Sequence, residues 1–272
     1  MIDEQNLRAA LLEQLRSWSL AGIGTLPRGT ARPEDSLPPA ELPIGTVGTA
    51  ATETDSKSSP LPAPPAEALR PEPIDAAAPY GAPLPLVDRR EVFRILSDEV
   101  AQCRCCAELV ASRTQTVFGV GHLQPRLVFL GEAPGADEDR LGEPFVGAAG
   151  QLLNKIITAA RLQRDEVYIL NAIKCRPRNN RTPTDSEIAT CRGYLERQLE
   201  ILQPEFIVCL GGVAAKSLLQ EKRPVSHLRK SFYTYRTSRV LVTYHPSYLL
   251  RDPSAKRLVW EDMQMLMREM GL

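Results

Sequence analysis

The 272-residue chain carries 33 Lys/Arg and 33 Asp/Glu, a formal net charge of zero, with 43% hydrophobic residues. That length allows one or two domains, and no stretch approaches the ~18 consecutive apolar residues of a membrane span. The zero conceals a split, since residues 1–87 hold 14 of the 23 prolines and 6 basic against 11 acidic residues, leaving 27 basic and 22 acidic in 88–272. A mildly basic C-terminal part accepts a polyanionic partner without demanding one.

Glu13 and Arg16 interrupt the N-terminal apolar run, so no signal peptide is expected and the protein is expected to be cytoplasmic. In residues 4–20, Leu7, Leu11, Leu12, Leu15 and Trp18 fall at helical spacing and predict a short docking helix, with an unidentified protein partner. Residues 21–87 are rich in Pro, Ala, Ser, Thr and Gly without a sustained period. Such a segment buries too little apolar surface to offset its ordering entropy and reads as a disordered linker, dispensable for chemistry.

Order is expected again from residue 88. A helix over Arg89–Val100 presents Val92, Ile95, Leu96 and Val100 on one face. Strands follow at Leu127–Gly131, Val167–Leu170, Phe206–Leu210 and Val240–Thr243, with helices near 149–161, 184–202 and 212–220 between them. Strand–helix alternation implies a mainly parallel four-stranded sheet with helices on both faces, a three-layer α/β/α sandwich. Each strand runs into a polar or Gly/Pro-containing loop (GEAPG, NAIKCRPRNNR, GGVAA and HPSYLLR), and in a parallel sheet those four loops meet at one edge.

The stretch Leu127–Leu153 is the centre of this arrangement. After its strand come GEAPG and three carboxylates, Asp137, Glu138 and Asp139, which read as a ligand-binding loop or as a solvated acidic tip. Asn171 follows the second strand, where an amide offers one acceptor and two donors to the Watson–Crick edge of a base, or caps a turn. His245 opens the fourth loop, restrained by Pro246 and beside Ser247. Phe145 is placed to stack on a planar ring or to be buried. The loop lacks the Gly-Lys-Ser/Thr ending of a P-loop, which argues against a nucleotide hydrolase.

Six cysteines in a chain of this kind point to metal or redox chemistry before disulfides. Cys103 and Cys106 form C-x-x-C, and Cys175 and Cys191 lie sixteen positions apart. Four thiolates suit a structural zinc ion or an iron–sulfur cluster, and spacing alone does not choose. Cys105 is an alternative to Cys103 or Cys106, while Cys209 sits in an apolar strand as a core residue. Arg176, Arg178, Arg181 and Arg192 crowd the second pair, as a compensating cluster of cations or a solvated face.

GEAPGADED–GEPFVGAAGQLL, YILNAIKCRPRNNRTP, the C-x15-C spacing and YHPSYLLRDP together resemble the family 4 uracil-DNA glycosylases, over about residues 90–270. The resemblance implies a [4Fe–4S] cluster on Cys103, Cys106, Cys175 and Cys191, a uracil-containing DNA substrate, single- or double-stranded, and a monomer. It implies hydrolysis of the deoxyuridine N-glycosidic bond, with His245 donating to uracil O2 and Glu132 holding or deprotonating the attacking water. Asn171 would bond O4 and N3, and Phe145 would stack on the ring. Ser247 to Arg251 would grip phosphate, with Leu249 or Leu250 as wedge. Two departures stand out. Ala107 lengthens the interval between C-x-x-C and the Arg of ASRTQTVFG, and cytosolic and nuclear relatives have Asp at Ala133 and Tyr at Gly135. Water activation and thymine exclusion must then be arranged differently, with Glu138 the candidate for the second task. No lysine nucleophile stands in the converging loops, so no lyase step is expected. The competing class is a non-enzymatic iron–sulfur protein that binds DNA and senses redox state.

Overall fold

The structure is a computed structural model and describes residues 78–272. The expected 4–20 helix lies outside the described residues, as does most of the expected linker. Six strands form one sheet: β1 (Val120–Gly121), β2 (Leu127–Gly131), β3 (Tyr168–Asn171), β4 (Phe206–Leu210), β5 (Phe232–Tyr235) and β6 (Ser238–Thr243), in the order β1-β3-β2-β4-β6-β5. The four central strands β3-β2-β4-β6 are parallel and match the expected set. The two edges, β1 and β5, pair antiparallel and were absent from the sequence expectation. β1 has two residues, and β5 is only partly buried, so neither shows a continuous apolar run.

Side chains alternate across a strand, and here each alternate set finds its own helical layer. Val128, Leu130, Ile207, Cys209, Val240 and Val242 face α1 (Leu86–Gln102), α5 (Asp185–Leu202) and α6 (Gly212–Leu219). Leu127, Phe129, Phe206, Val208, Leu210 and Leu241 face α4 (Ala148–Ala159) and α9 (Lys256–Met270). α9 shows why it docks: Val259, Met263, Leu266 and Met270 recur at helical spacing and are all buried. Shorter helices complete the chain: α2 (Ala107–Ser112), α3 (Ala136–Leu141), α7 (Val225–Leu228) and α8 (Pro246–Arg251). The result is the three-layer α/β/α architecture.

α5 starts where its sequence dictates. Thr184 accepts from the Glu187 backbone N–H at 3.3 Å, and the Glu187 carboxylate accepts from the Thr184 N–H at 2.7 Å. This reciprocal cap, with Arg181 bound to the same carboxylate at 2.7 Å, fixes the helix that carries Cys191.

Residues 78–85, expected within the linker, are held against the fold. Tyr80 Oη is 2.9 Å from Ser238 Oγ, and Gly81 N–H donates to Glu200 at 2.9 Å. The Arg236 guanidinium lies 5.3 Å from the Tyr80 ring centroid. A chain beginning at Val87 loses this strap and is expected to be about 2 kcal/mol less stable than one beginning at Asp75. That corresponds to a Tm lower by roughly 4–8 °C for a domain of this size. Equal melting of the two in calorimetry would show that the strap contributes nothing.

Candidate active site

β2 and β4 are neighbours, yet β2 leads through α3 to α4 on one face and β4 into α6 on the other. Chains that leave adjacent strands in opposite directions open a crevice at their C-terminal ends, where ligands sit in open α/β sheets. The loops after β2, β3, β4 and β6 converge there, as expected from their order.

Gly131 ends β2 directly opposite Asn171 at the end of β3. A Cβ at Gly131 would lie 2.3 Å from Asn171 Oδ1 and 2.6 Å from the Phe145 ring. The glycine is therefore the floor on which the amide and the aromatic ring meet. Asn171 is 2% exposed, and its Oδ1 is buried without a hydrogen-bond partner among the described residues. Buried polar atoms are almost always paired, so such an orphan marks a place a ligand group completes. Phe145 is 5% exposed and holds a left-handed backbone, φ 55°. Gly150 permits this, because a Cβ there would stand 1.8 Å from the Phe145 carbonyl oxygen.

The Phe145 and His245 ring centroids are 5.4 Å apart with a 32° tilt. His245 Nδ1 accepts from the Ser247 backbone N–H at 3.1 Å and lies 2.7 Å from Ser247 Oγ. A backbone N–H can only donate, so Nδ1 carries the lone pair and the proton sits on Nε2. Burial, helped by the nearby Arg251 charge, lowers the His245 pKa to about 4, so the ring is a neutral donor at pH 7. Burial also raises the Glu132 carboxyl above the usual carboxylate range, with Arg251 opposing the shift. Arg251 thus acts on both groups.

The loops change two of these expectations. Leu249 is 1% exposed and belongs to the core, so it cannot serve as a wedge; Leu250, 48% exposed, presents its side chain to solvent. Pro246 and Leu249, three apart on α8, share its inward face. The acidic run is not a solvated tip either. Asp139 is buried and accepts from the Thr114 N–H at 2.9 Å, and the Glu138 carboxylate accepts from Gly135, Val146 and Gly147 at 3.0–3.1 Å. Asp137 alone is exposed, 3.5 Å from Arg140. A Cβ on Gly135 would meet that Glu138 carboxylate at 2.7 Å. Ala133 packs toward the small cluster of Leu109, Ile173, Cys175 and Ile188 instead of offering a polar group.

Cys103, Cys106, Cys175 and Cys191 line one cavity together with Arg113, Lys174 and Tyr194. Among the described residues no group of three or more His, Cys, Asp or Glu is arranged to hold a metal ion. Burial raises the Cys106 and Cys191 thiols to about 12, so a metal would have to displace their protons. The cation that reaches sulfur is Arg113, which donates to Cys175 Sγ at 2.8 Å and to the Cys103 carbonyl at 2.7 Å. Three of the four arginines first suspected are engaged elsewhere: Arg181 with Glu187, Arg192 with Glu196 at 2.7 Å, and Arg176 with Asn180 at 2.8 Å. Arg113 and Lys174 were given no role in the sequence reading, because a basic residue announces no chemistry until its neighbours are known. Among the described residues, no helix is long and apolar enough to cross a membrane.

A family model described as the uracil DNA glycosylase superfamily matches residues 118–264. A type-4 uracil-DNA glycosylase of Thermotoga maritima is 42% identical over 180 residues, covering 65% of this chain and 93% of the relative. Another from Archaeoglobus fulgidus is 43% identical over 166 residues, 58% of this chain and 83% of the relative. One from Sulfurisphaera tokodaii is 38% identical over 186 residues, 65% and 84%. With its loops converging on Asn171, Phe145 and His245 and these matches across the folded part, the chain belongs to the uracil-DNA glycosylase superfamily.

Proposed function

We propose that the protein is a monofunctional uracil-DNA glycosylase of the type-4 kind, hydrolysing the N-glycosidic bond of deoxyuridine in DNA to leave an abasic site. The observation that carries this reading is the orphaned Asn171 Oδ1, set against Phe145 and His245. Uracil N3–H supplies the donor that Oδ1 lacks, and the amide N–H2 donates to O4. Cytosine presents an acceptor at N3 and would leave the oxygen unpaired.

The target nucleotide must be flipped from the stack to reach these groups. Bond cleavage builds positive charge on the sugar and negative charge on the departing base. His245 donates from Nε2 to uracil O2 as that charge grows. Glu132, its carboxyl made more basic by burial, holds and deprotonates the water that attacks C1′. Arg251 and Ser247 approach the phosphates, and the exposed Leu250 fills the vacated space. Glu138 occupies the room a side chain at Gly135 would take and closes that flank, toward C5 of the bound ring.

What supports a [4Fe–4S] cluster is the donor set: four thiols line one cavity, and Arg113 donates to one sulfur. Cys103, Cys106, Cys175 and Cys191 would hold it, and it would cross-link α2, the β3 loop and α5 without entering bond cleavage. Protein purified without oxygen is expected to be brown, with broad absorbance near ~400 nm and about four irons per chain. A colourless preparation with stoichiometric zinc would exclude the cluster. A DNA-binding redox sensor without catalysis would use the same cysteines, but has no need of a neutral His245 or an unpaired Asn171.

Incubation with a duplex holding a single deoxyuridine tests the reaction. Abasic product should form without strand scission until alkali is added. Absence of product on both single- and double-stranded substrate would refute the glycosylase reading.

A further inference from the structure

α8 carries exposed side chains in succession around its outer surface. An α-helix turns by about 100° per residue. With Leu249 facing the core, Tyr248 and Leu250 leave opposite flanks of the helix, and the exposed Arg251 stands on the crest between them. Tyr248 is 37% exposed, yet its ring is fixed twice. Its centroid lies 5.1 Å from that of Tyr244 with the planes 26° apart, and its hydroxyl donates to the Asp252 carboxylate at 3.1 Å. Tyr244 is held in turn, with the Arg229 guanidinium 5.4 Å from its ring centroid. The buried Asp262 carboxylate accepts from Arg229 Nε at 2.9 Å and from Thr243 Oγ1 at 2.6 Å, which anchors this column in the core. Tyr244 takes one face of the Tyr248 ring, and among the described residues no second ring and no cation stacks on Tyr248.

The geometry points to Tyr248 as a stacking platform for an unpaired base of single-stranded DNA, a few nucleotides from the deoxyuridine in the same strand. The inference rests on the glycosylase reading, in which Leu250 fills the place of the flipped nucleotide and Arg251 approaches phosphate. A strand that leaves Leu250 and crosses the outside of α8 meets Arg251 next and Tyr248 after it. The ~10–12 Å width of a helix corresponds to about three nucleotides at ~3.4 Å each. In a duplex the bases at that distance stay paired and stacked on one another, and the platform has nothing to take. In a single strand every base has a free π-face, and an aromatic ring accepts any of the four. A ring already held by Tyr244 and Asp252 loses little rotamer freedom when a base settles on it.

Full-length protein carrying Tyr248→Leu, which keeps apolar bulk without a π-face, tests the platform beside Tyr248→Phe and Tyr248→Trp. On a single-stranded substrate with one deoxyuridine, Tyr248→Leu is expected to raise KM by about 5- to 150-fold, the range of one base–aromatic stack. The loss should fall on KM rather than on kcat, and it should be far smaller on the same sequence in duplex form. Tyr248→Phe gives up only the bond to Asp252, so it should bind the single strand as tightly as wild type, and Tyr248→Trp should do the same. 2-Aminopurine, whose fluorescence falls on stacking, reads the contact directly. It is placed in turn at the nearest positions on either side of a 2′-fluoro-deoxyuridine, whose fluorine disfavours positive charge on the sugar and resists cleavage. At one position it should be dimmer in the wild-type complex than in the Tyr248→Leu complex. Equal loss on both strand forms, a Tyr248→Phe loss as large as that of Tyr248→Leu, or no position that dims through Tyr248 would overturn the platform while wild-type excision stands. Wild-type protein inert on deoxyuridine would overturn the glycosylase reading and the platform with it.

Discussion

Replacing His245 by alanine is expected to slow uracil release by about 10²–10³-fold, the cost of removing one donor aimed at developing negative charge. The magnitude follows from the state in which the ring is held. Ser247 N–H occupies Nδ1 at 3.1 Å, leaving Nε2–H as the donor, and the pKa near 4 keeps the ring neutral across the physiological range. A neutral imidazole strengthens its hydrogen bond as charge appears on O2, with no proton to lose beforehand. The acid limb of the rate should therefore follow Glu132, which must be ionised to act as base and whose pKa is raised by burial. Below that value activity falls while His245 is still neutral. Stability carries the histidine's own sign: its folded pKa of about 4 lies below the ordinary 6.5, so the unfolded chain takes up the proton first as pH falls. Stability is lost from about pH 6.5 down to 4, and His245→Ala should flatten that slope. Single-turnover release against pH, with thermal unfolding at pH 5 and 7.5, checks both. A variant within a few-fold of wild type, or a histidine titrating near 6.5, would contradict this account.

The second large effect is expected at a residue that contacts no reacting bond. Gly131→Ala should reduce single-turnover excision by about 10²-fold, as a misplacement of about an ångström does in a preorganised site. The new methyl would stand 2.3 Å from Asn171 Oδ1 and 2.6 Å from two Phe145 ring carbons, both of them buried side chains. The strand backbone tolerates the substitution, so the fold and affinity for undamaged duplex should be kept, with overpacking lowering stability by about 1–3 kcal/mol. Wild-type excision by Gly131→Ala, or a collapse of stability without a specific rate loss, would show that Gly131 does not set the position of Asn171 and Phe145.

Local pattern and tertiary placement contributed differently to this picture. Continuous apolar runs could be recognised because the central strands are covered on both faces, and each needs no partner to look like a strand. The partly buried β5 and the two-residue β1 have too little apolar periodicity to be seen, since their stability comes from pairing with β6 and β3. His245, Asn171 and Phe145 were legible because their residue types carry chemistry and the order of the loops brings them to one edge. The roles of Glu138 and Asp139 were not, because a run of three carboxylates looks alike in sequence whether it meets water or backbone N–H groups. Leu249 and Leu250 are equally apolar, and only the seating of α8 decides that one enters the core and the other faces solvent. Arg113 marks the limit most clearly. Its importance lies in a contact with Cys175, 62 positions away, and such a contact exists only once the chain has folded. The residue types of the chemistry were thus determined by the chain itself, while the spacing, burial and protonation that let them act arise from tertiary packing.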